Sequence, residues 1–232
     1  MDEPEQSDAS EDLSRSADWE AEASNPAQIR ISYLRYFASR PGPISIFVVV
    51  MASIVAASAW LSWWILIGLV LVLPVLGVYL LRLGAHFKHG CANPGVIVSE
   101  RPCLVAVSTD LTRDGESFWP VIKIIRQPLG RFGHEPVVLG GRVATAAFYV
   151  PPDDEQSTRW DGFSPICIDC ATGDRAEGRR CLESIGPAEW EALEAGLAQI
   201  PQPVKEGLYE VKIAEDLERR LREAEDGVDP VR

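Results

Sequence analysis

The sequence predicts an α+β membrane protein, in which a two-helix transmembrane hairpin precedes a small antiparallel β-barrel or sandwich domain with C-terminal helices. The first observation is an uncharged stretch over residues 41–81, bounded by Arg40 and Arg82. The second is a series of short Val- and Ile-rich segments after Gly90, separated by turn residues. The third is a helical spacing of apolar residues in the last fifty positions.

The apolar part of the uncharged stretch, residues 44–81, is 38 residues long. A single helix of that length would reach about 57 Å, roughly twice the ~30 Å hydrocarbon core of a bilayer. Two helices over about 44–59 and 64–81, joined by a tight turn within residues 58–64, fit the length better. We therefore predict a transmembrane helical hairpin over residues 44–81.

The residues at both ends of the predicted helices suit a membrane–water boundary. Trp60, Trp63 and Trp64 fall in the turn, and tryptophan favours this boundary because its ring is apolar while its N–H needs a partner. At the other end of the hairpin, Arg40 and Arg82 are the first charged residues before and after the uncharged stretch. We predict these five residues as the membrane-interface residues.

The flanking charge predicts the orientation. Arginine and lysine lie on both sides of the hairpin and are missing from the turn, so the positive-inside rule places both termini and the soluble domain in the cytoplasm. The predicted location is thus an integral, two-pass membrane protein. A re-entrant hairpin would also leave the termini on one side. A buried hairpin of a soluble protein is disfavoured by the charge-free length, and a signal peptide by the position and length of the segment.

The N-terminal region divides in two. Residues 1–25 are predicted as a disordered acidic tail, since residues 1–28 carry nine acids and only one base. Residues 26–40 are predicted as a juxtamembrane amphipathic segment, helical from Pro26 to Ser39, lying on the membrane surface and separated from the hairpin by Pro41-Gly42-Pro43. The net charge of −12 belongs mainly to the chain ends, so no basic surface for nucleic acid is expected.

Residues 91–204 are predicted as a cytoplasmic β-rich domain with one helix, which begins at Gly186-Pro187. The predicted strands are short and bounded by Pro, Gly and Asp; they cover residues 96–98, 104–108, 121–126, 137–139, 142–150 and 163–169. Residues 205–232 are predicted as a charged C-terminal helix and tail. This helix, over about 206–225, contains three acid-before-base pairs at i,i+4: Glu215–Arg219, Asp216–Arg220 and Glu218–Arg222. It could stand in solvent, pack on the domain or form a short coiled coil.

Cysteines provide the main candidate for chemistry. Cys167 and Cys170 form a CxxC, and Cys181 follows; with a fourth ligand, these three thiols could hold zinc. The CxxC lies in a strand-like stretch, where positions i and i+3 point to opposite faces, which opposes a zinc knuckle. The alternative is that the cysteines are reduced, buried core residues of a cytoplasmic domain with no chemical role.

Other chemical signals are weak. His134 lies in a glycine-rich loop and is predicted as a loop histidine, while Asp110 is predicted to cap a turn. The aromatic residues Phe118, Trp119 and Trp160 are predicted in loops, as edge packing or as contact points. No common catalytic motif is present and no charge lies in the apolar stretch, so the sequence favours a protein that is not an enzyme.

The layout is similar to a recurrent bacterial plan, in which a transmembrane hairpin precedes a small cytoplasmic β-barrel of the OB-fold or pleckstrin-like type. The resemblance is one of architecture and implies no site residue. The sequence thus predicts a membrane-anchored cytoplasmic interaction or scaffold protein, whose partners are the lipid bilayer and a protein or second copy bound through the C-terminal helix. The alternative is a membrane-tethered small-ligand or zinc sensor, or an enzyme, that uses the Cys167/Cys170/Cys181 region.

Overall fold

The computed structural model describes residues 25–113, 118–154 and 156–226. The predicted acidic tail therefore lies outside the described residues, apart from Asn25. The first helices are α1 (Tyr33–Ser39), α2 (Pro41–Trp60) and α3 (Ile67–His89), with a 3-10 turn at Trp63–Leu66 before α3.

Helices α2 and α3 form the predicted hairpin. The two candidate membrane spans, Pro41–Trp60 and Trp63–His89, have mean hydropathies of 2.1 and 2.7, and their apolar windows are 0% buried inside the protein. A core helix of a soluble protein would be mostly covered, so the exposed apolar surface is that of a membrane protein. The break falls at Leu61–Ser62, inside the predicted turn.

Helix α3 continues to His89, beyond the predicted end at residue 81, and runs through Pro74. Its last turns bury Leu83, His86 and Phe87, so they belong to the core of the soluble domain. The sequence does not predict these last turns as part of the helix, because the buried residues are flanked by the charged Arg82 and Lys88 and resemble a charged segment outside the membrane.

The domain contains a six-stranded antiparallel sheet in the order β5-β4-β1-β2-β3-β6. The sheet curls into a half-barrel rather than a closed barrel, and the predicted α+β class with an apolar hairpin is confirmed. A four-residue helix, α4 (Leu129–Phe132), lies between β3 and β4. The strands are β1 (Cys91–Glu100), β2 (Cys103–Asp110), β3 (Pro120–Arg126), β4 (Arg142–Val150), β5 (Gly162–Cys167) and β6 (Gly207–Glu210).

One side chain crosses the open side of the half-barrel. The Lys123 ammonium on β3 donates to the Phe163 carbonyl on β5 and lies 5.6 Å from the centre of the Phe163 ring. Burial lowers the pKa of Lys123. Strands β3 and β5 are not neighbours in the sheet, so this contact shows how strongly the sheet curls.

Three helices complete the domain: α5 (Arg175–Ser184), α6 (Pro187–Leu197) and α7 (Glu215–Asp226). Helix α6 begins at the predicted Gly186-Pro187 and covers the face of the sheet that carries Ile122. At Gly196 the two elements approach so closely that an added Cβ would lie 2.7 Å from Cδ1 of Ile122 and 3.1 Å from Cγ2 of Val211. This glycine sets the spacing between helix and sheet.

Four local predictions are wrong. Residues 137–139 form no strand, and α5 was not predicted because its sequence, RAEGRRCLES, is mostly polar. Residues 207–210 form strand β6 instead of the start of the last helix, which begins at Glu215. Residues 26–32 are not helical, so the juxtamembrane helix begins only at Tyr33.

We predict that Gly196→Val destabilises the domain by about 1–3 kcal/mol, because the new side chain forces Ile122 and Val211 apart in a packed core. The check is a urea titration of the full-length protein in micelles, followed by near-UV circular dichroism. The matched control is Gly130→Val, since Gly130 is exposed and its added Cβ meets nothing within 4 Å. Equal midpoints for the two variants would contradict the close approach at Gly196.

Candidate functional site

The joint between the hairpin and the domain is the most constrained part of the molecule. Only Gly90 separates α3 from β1, and its N–H donates to the His86 carbonyl at 2.8 Å. A Cβ at this position would overlap the His86 carbonyl oxygen and lie 3.0 Å from the Ala147 oxygen. The membrane helix thus enters the sheet without a linker, and the close approach at this residue leaves no room for a side chain.

Residues 25–32, which we call the strap, lie along this joint without helix or strand apart from a single bridge between Pro26 and Cys91, and Gln28 has a left-handed φ of 50°. The Ala27 N–H donates to the Gly90 carbonyl at 2.9 Å and the Ile29 N–H to the Phe87 carbonyl at 2.8 Å. Both apolar side chains are buried, at 1% and 3% exposure. The strap therefore satisfies the terminal carbonyls of α3, which a helix end leaves without an internal partner.

The far side of the strap is held by α5. The Arg180 guanidinium donates to the carbonyls of Ala27 and Gln28, both at 2.9 Å. The Asn25 amide donates to the carbonyl of Ser184 at the end of the same helix, at 3.3 Å. The strap is thus bonded to the membrane helix on one side and to the domain on the other.

Helix α1 continues this connection with an arginine. Arg35 Nε donates to the Asp169 carbonyl at 2.7 Å, and a second guanidinium nitrogen donates to the Phe132 carbonyl. The guanidinium also lies 5.7 Å from the centre of the Phe132 ring. Hydrogen bonds from a charged donor are stronger than neutral ones, so Arg35 is the main polar contact between α1 and the domain.

Aromatic rings join α1 to the hairpin. Tyr36 is buried and packs edge-on against Phe87 of α3, with ring centres 5.9 Å apart. Phe37 stacks on Tyr79 at 6.4 Å, and Tyr79 lies 5.7 Å from Phe47 of α2. Helix α1 therefore packs on α3, and Tyr79 of α3 packs in turn on α2.

The CxxC segment provides the surface on which α1 and the strap dock. Cys167 ends β5, and Ile168–Cys170 forms a 3-10 turn, so the expectation of a continuous strand through the CxxC is wrong. Three consecutive carbonyls at and after this turn accept hydrogen bonds: that of Asp169 from Arg35, that of Cys170 from Ser39 Oγ at 3.4 Å, and that of Ala171 from the Ser32 N–H at 2.8 Å. The turn therefore binds α1 and the strap through its backbone carbonyls, not through its side chains.

The thiols of the predicted metal site are packed in the core. Cys167, Cys170 and Cys181 are each 0% exposed, and the Cys170 thiol lies 3.7 Å from the Gln127 amide oxygen. Burial raises the pKa of Cys167 well above its usual range and raises the pKa of Cys170 and of Cys181 to about 12. Within the described residues, no group of three or more His, Cys, Asp or Glu side chains is placed to hold a metal ion.

Two other polar residues have defined contacts. His134 packs beside Asp169, whose carboxylate accepts the His134 backbone N–H at 2.9 Å and lies 3.9 Å from Nε2. Asp110 accepts hydrogen bonds from Thr112 and from the Trp119 N–H at 2.8–3.0 Å, which confirms the predicted turn cap. Burial raises the pKa of Asp110, although these hydrogen bonds oppose the shift.

The predicted interface residues lie at the two ends of the hairpin. Trp60, Trp63 and Trp64 surround its turn, at 89%, 62% and 60% exposure, with the last two rings stacked at 4.0 Å. Arg40 lies between α1 and α2, and Arg82 is exposed on α3. Their contact with lipid stays a prediction.

The loop aromatics lie at one end of the half-barrel. Trp160 packs 5.7 Å from Tyr149, and its neighbour Arg159 lies over the partly exposed Trp119 at 4.8 Å. Residues 111–113 and 158–160 pair through backbone hydrogen bonds and the Thr112–Arg159 bridge. The aromatics thus pack at the edge of a folded loop pair.

Helix α7 docks on the domain. Leu217 is buried, and the Arg220 guanidinium pairs with Glu191 of α6 rather than with the predicted Asp216. The predicted Glu218–Arg222 pair is present at 2.8 Å. The helix therefore presents its charged face at a fixed position.

Sequence reasoning missed the strap and Arg35. The alternation of Ala27, Ile29 and Ile31 with polar residues is a strand signal that would have identified the strap. Pro26 opposes this signal, because proline also favours the first turn of a helix.

The family model described as "Protein of unknown function (DUF3239)" matches residues 82–201. Among solved structures, one described as "Crystal structure of a putative membrane protein from Corynebacterium diphtheriae" is similar, with 22% identity and a TM-score of 0.41. The match covers 52% of this chain and 99% of that one. No curated protein matches the chain.

We predict that Arg35→Ala loosens α1 and the strap, because it leaves the Asp169 and Phe132 carbonyls without their charged donor, at a cost of about 1.5–3 kcal/mol. Hydrogen exchange of residues 27–37 should rise by about tenfold or more, since 1.4 kcal/mol is a factor of ten. Arg30→Ala is the control, because Arg30 is exposed and contributes its backbone N–H, which donates to Glu177. Unchanged exchange in Arg35→Ala would show that the guanidinium does not hold α1.

We predict that Cys170 and Cys181 resist alkylation in the folded protein at pH 8, because a pKa of about 12 leaves almost no thiolate. The unfolding free energy should fall as the pH rises above about 9, because unfolded thiols ionise there while the folded ones stay protonated. Mass spectrometry of maleimide-treated protein, with and without urea, checks the first point. Rapid labelling of these thiols in the folded protein would contradict it.

Proposed function

The chain belongs to the DUF3239 family of proteins of unknown function, and we propose that it is a membrane-anchored interaction or scaffold protein at the cytoplasmic face. The observation that carries the proposal is the joint: Gly90, the strap and Arg35 fix the domain to the hairpin with no flexible linker. A domain held in one orientation loses less conformational entropy when it binds a partner at the membrane than a domain on a flexible linker does.

The proposed sidedness rests on charge. Arg30, Arg40, Arg82 and Lys88 lie at the domain end of the hairpin, while the turn at residues 58–64 carries no charge. The positive-inside rule favours a cytoplasmic domain for this distribution. In this proposal the tryptophan cluster at the turn lies at the opposite boundary.

The proposed partner surface is the outer face of α7. This helix is anchored through Leu217 and the Arg220–Glu191 pair, which leaves charged side chains such as Arg219, 72% exposed, directed outwards. Mixed charge on a fixed helix suits a charged protein surface or a second copy of this chain. The sensor alternative has less support, because the thiols it would use are buried and protonated.

The first test is a topology reporter fused at Ser62, in the turn of the hairpin. We predict an extracytoplasmic signal there, and a cytoplasmic signal from the same reporter fused at the C-terminus. A cytoplasmic signal at Ser62 would contradict a hairpin that crosses the membrane.

The partner surface is tested by a photo-crosslinking amino acid at position 219 in the native membrane. We predict a reproducible protein or self-crosslink from position 219 that is missing from position 153, an exposed loop site used as the control. Equal products at both positions, or none, would contradict a binding face on α7.

A further inference from the structure

We propose that α1 is an interfacial helix that inserts Leu34 into the headgroup–acyl boundary of the leaflet facing the domain, so that the base of the domain rests on lipid. The inference rests on the membrane anchoring proposed above. It adds a second, peripheral contact between domain and bilayer, and it commits to lipid as the occupant of this surface.

Helix α1 exposes one apolar face. Leu34 is 85% exposed and Tyr33 is 38% exposed, whereas Tyr36 on the other side of the helix is 5% exposed. Arg35 is bound to the domain, so the helix cannot turn to bury Leu34 without losing that contact. Moving an apolar side chain out of water is favourable, so contact with lipid stabilises this exposed leucine.

Helix α1 lies at the depth of the membrane boundary. Measured from Trp63 at 1.5 Å per residue, a hydrocarbon core of about 30 Å ends about twenty residues later, close to Arg82. The Tyr33 hydroxyl donates to the Leu80 carbonyl at 3.0 Å, and an added Cβ at Gly84 would lie 3.0 Å from the same hydroxyl. The start of α1 therefore lies at the level where α3 leaves the hydrocarbon.

Helix α1 is continuous with the hairpin and is surrounded by cations. Only Arg40 separates α1 from α2, so α1 cannot move away from the bilayer surface that α2 enters. Arg30, Arg82 and Lys88 are exposed around the same end of the hairpin. An apolar side chain among cations is the pattern of a segment that lies in the interface and pairs with lipid phosphates.

The test uses an environment-sensitive fluorescent amino acid at position 34 of the full-length protein, in vesicles containing lipids with a nitroxide near the headgroup or near the chain end. Two matched controls carry the same probe at exposed positions: 70 on α3, where Val70 is 66% exposed, and 194 on α6, where the Glu194 side chain is 62% exposed. We expect the headgroup nitroxide to quench position 34 at least about twofold more than the chain-end nitroxide. Position 70 should respond most to the chain-end nitroxide, and position 194 to neither.

The outcomes separate this inference from the proposed function. Unquenched emission at position 34 with quenching at position 70 would overturn the interfacial helix and leave the anchor intact. Blue-shifted but unquenched emission at position 34 would overturn it as well, and would identify protein as what covers Leu34. Unquenched emission at position 70 would overturn the membrane anchor itself.

Discussion

The direct passage from α3 into β1 at Gly90 is the constraint on which the rest of the structure depends. Gly90 alone separates the last residue of α3, His89, from the first residue of β1, Cys91. The close approach of the Gly90 backbone to the carbonyls of His86 and Ala147 excludes a side chain. Since the helix ends inside the domain, its terminal carbonyls need partners, and the strap supplies them.

The CxxC segment has a structural role that its sequence pattern does not indicate. Its 3-10 turn directs the carbonyls of Asp169, Cys170 and Ala171 towards α1 and the strap. The thiols fill the space behind the turn, where burial keeps them protonated. Cysteine, as a small apolar residue, suits such a packed site. The hydrogen bonds to α1 and the strap are accepted by the backbone carbonyls.

Parts of the structure that depend on local patterns were predictable, and parts that depend on distant partners were not. The apolar part of the uncharged stretch, 38 residues long, is too long for one membrane helix and so predicts a hairpin, and strand β4 is delimited by Gly140-Gly141 and Pro151-Pro152. The strap carries a strand signal, but Pro26 favours the start of a helix there, and the hydrogen-bond partners that decide between the two lie some sixty positions away. Strand β6 was missed because four residues between Pro203 and the charged helix carry little periodicity, and pairing with β3 decides their conformation. For the candidate site, the sequence identified the cysteines but not Arg35, since an arginine beside a membrane helix predicts a lipid contact rather than a bond to a distant carbonyl.

The central claim is that hairpin and domain form one rigid unit. The most direct measurement is pulsed electron–electron double resonance on the full-length protein in nanodiscs. It gives the distribution of distances between spin-labelled amino acids at position 70 on α3 and position 194 on α6. A single narrow distance distribution is the result the account predicts. A broad distribution, as a flexible linker would produce, would contradict it.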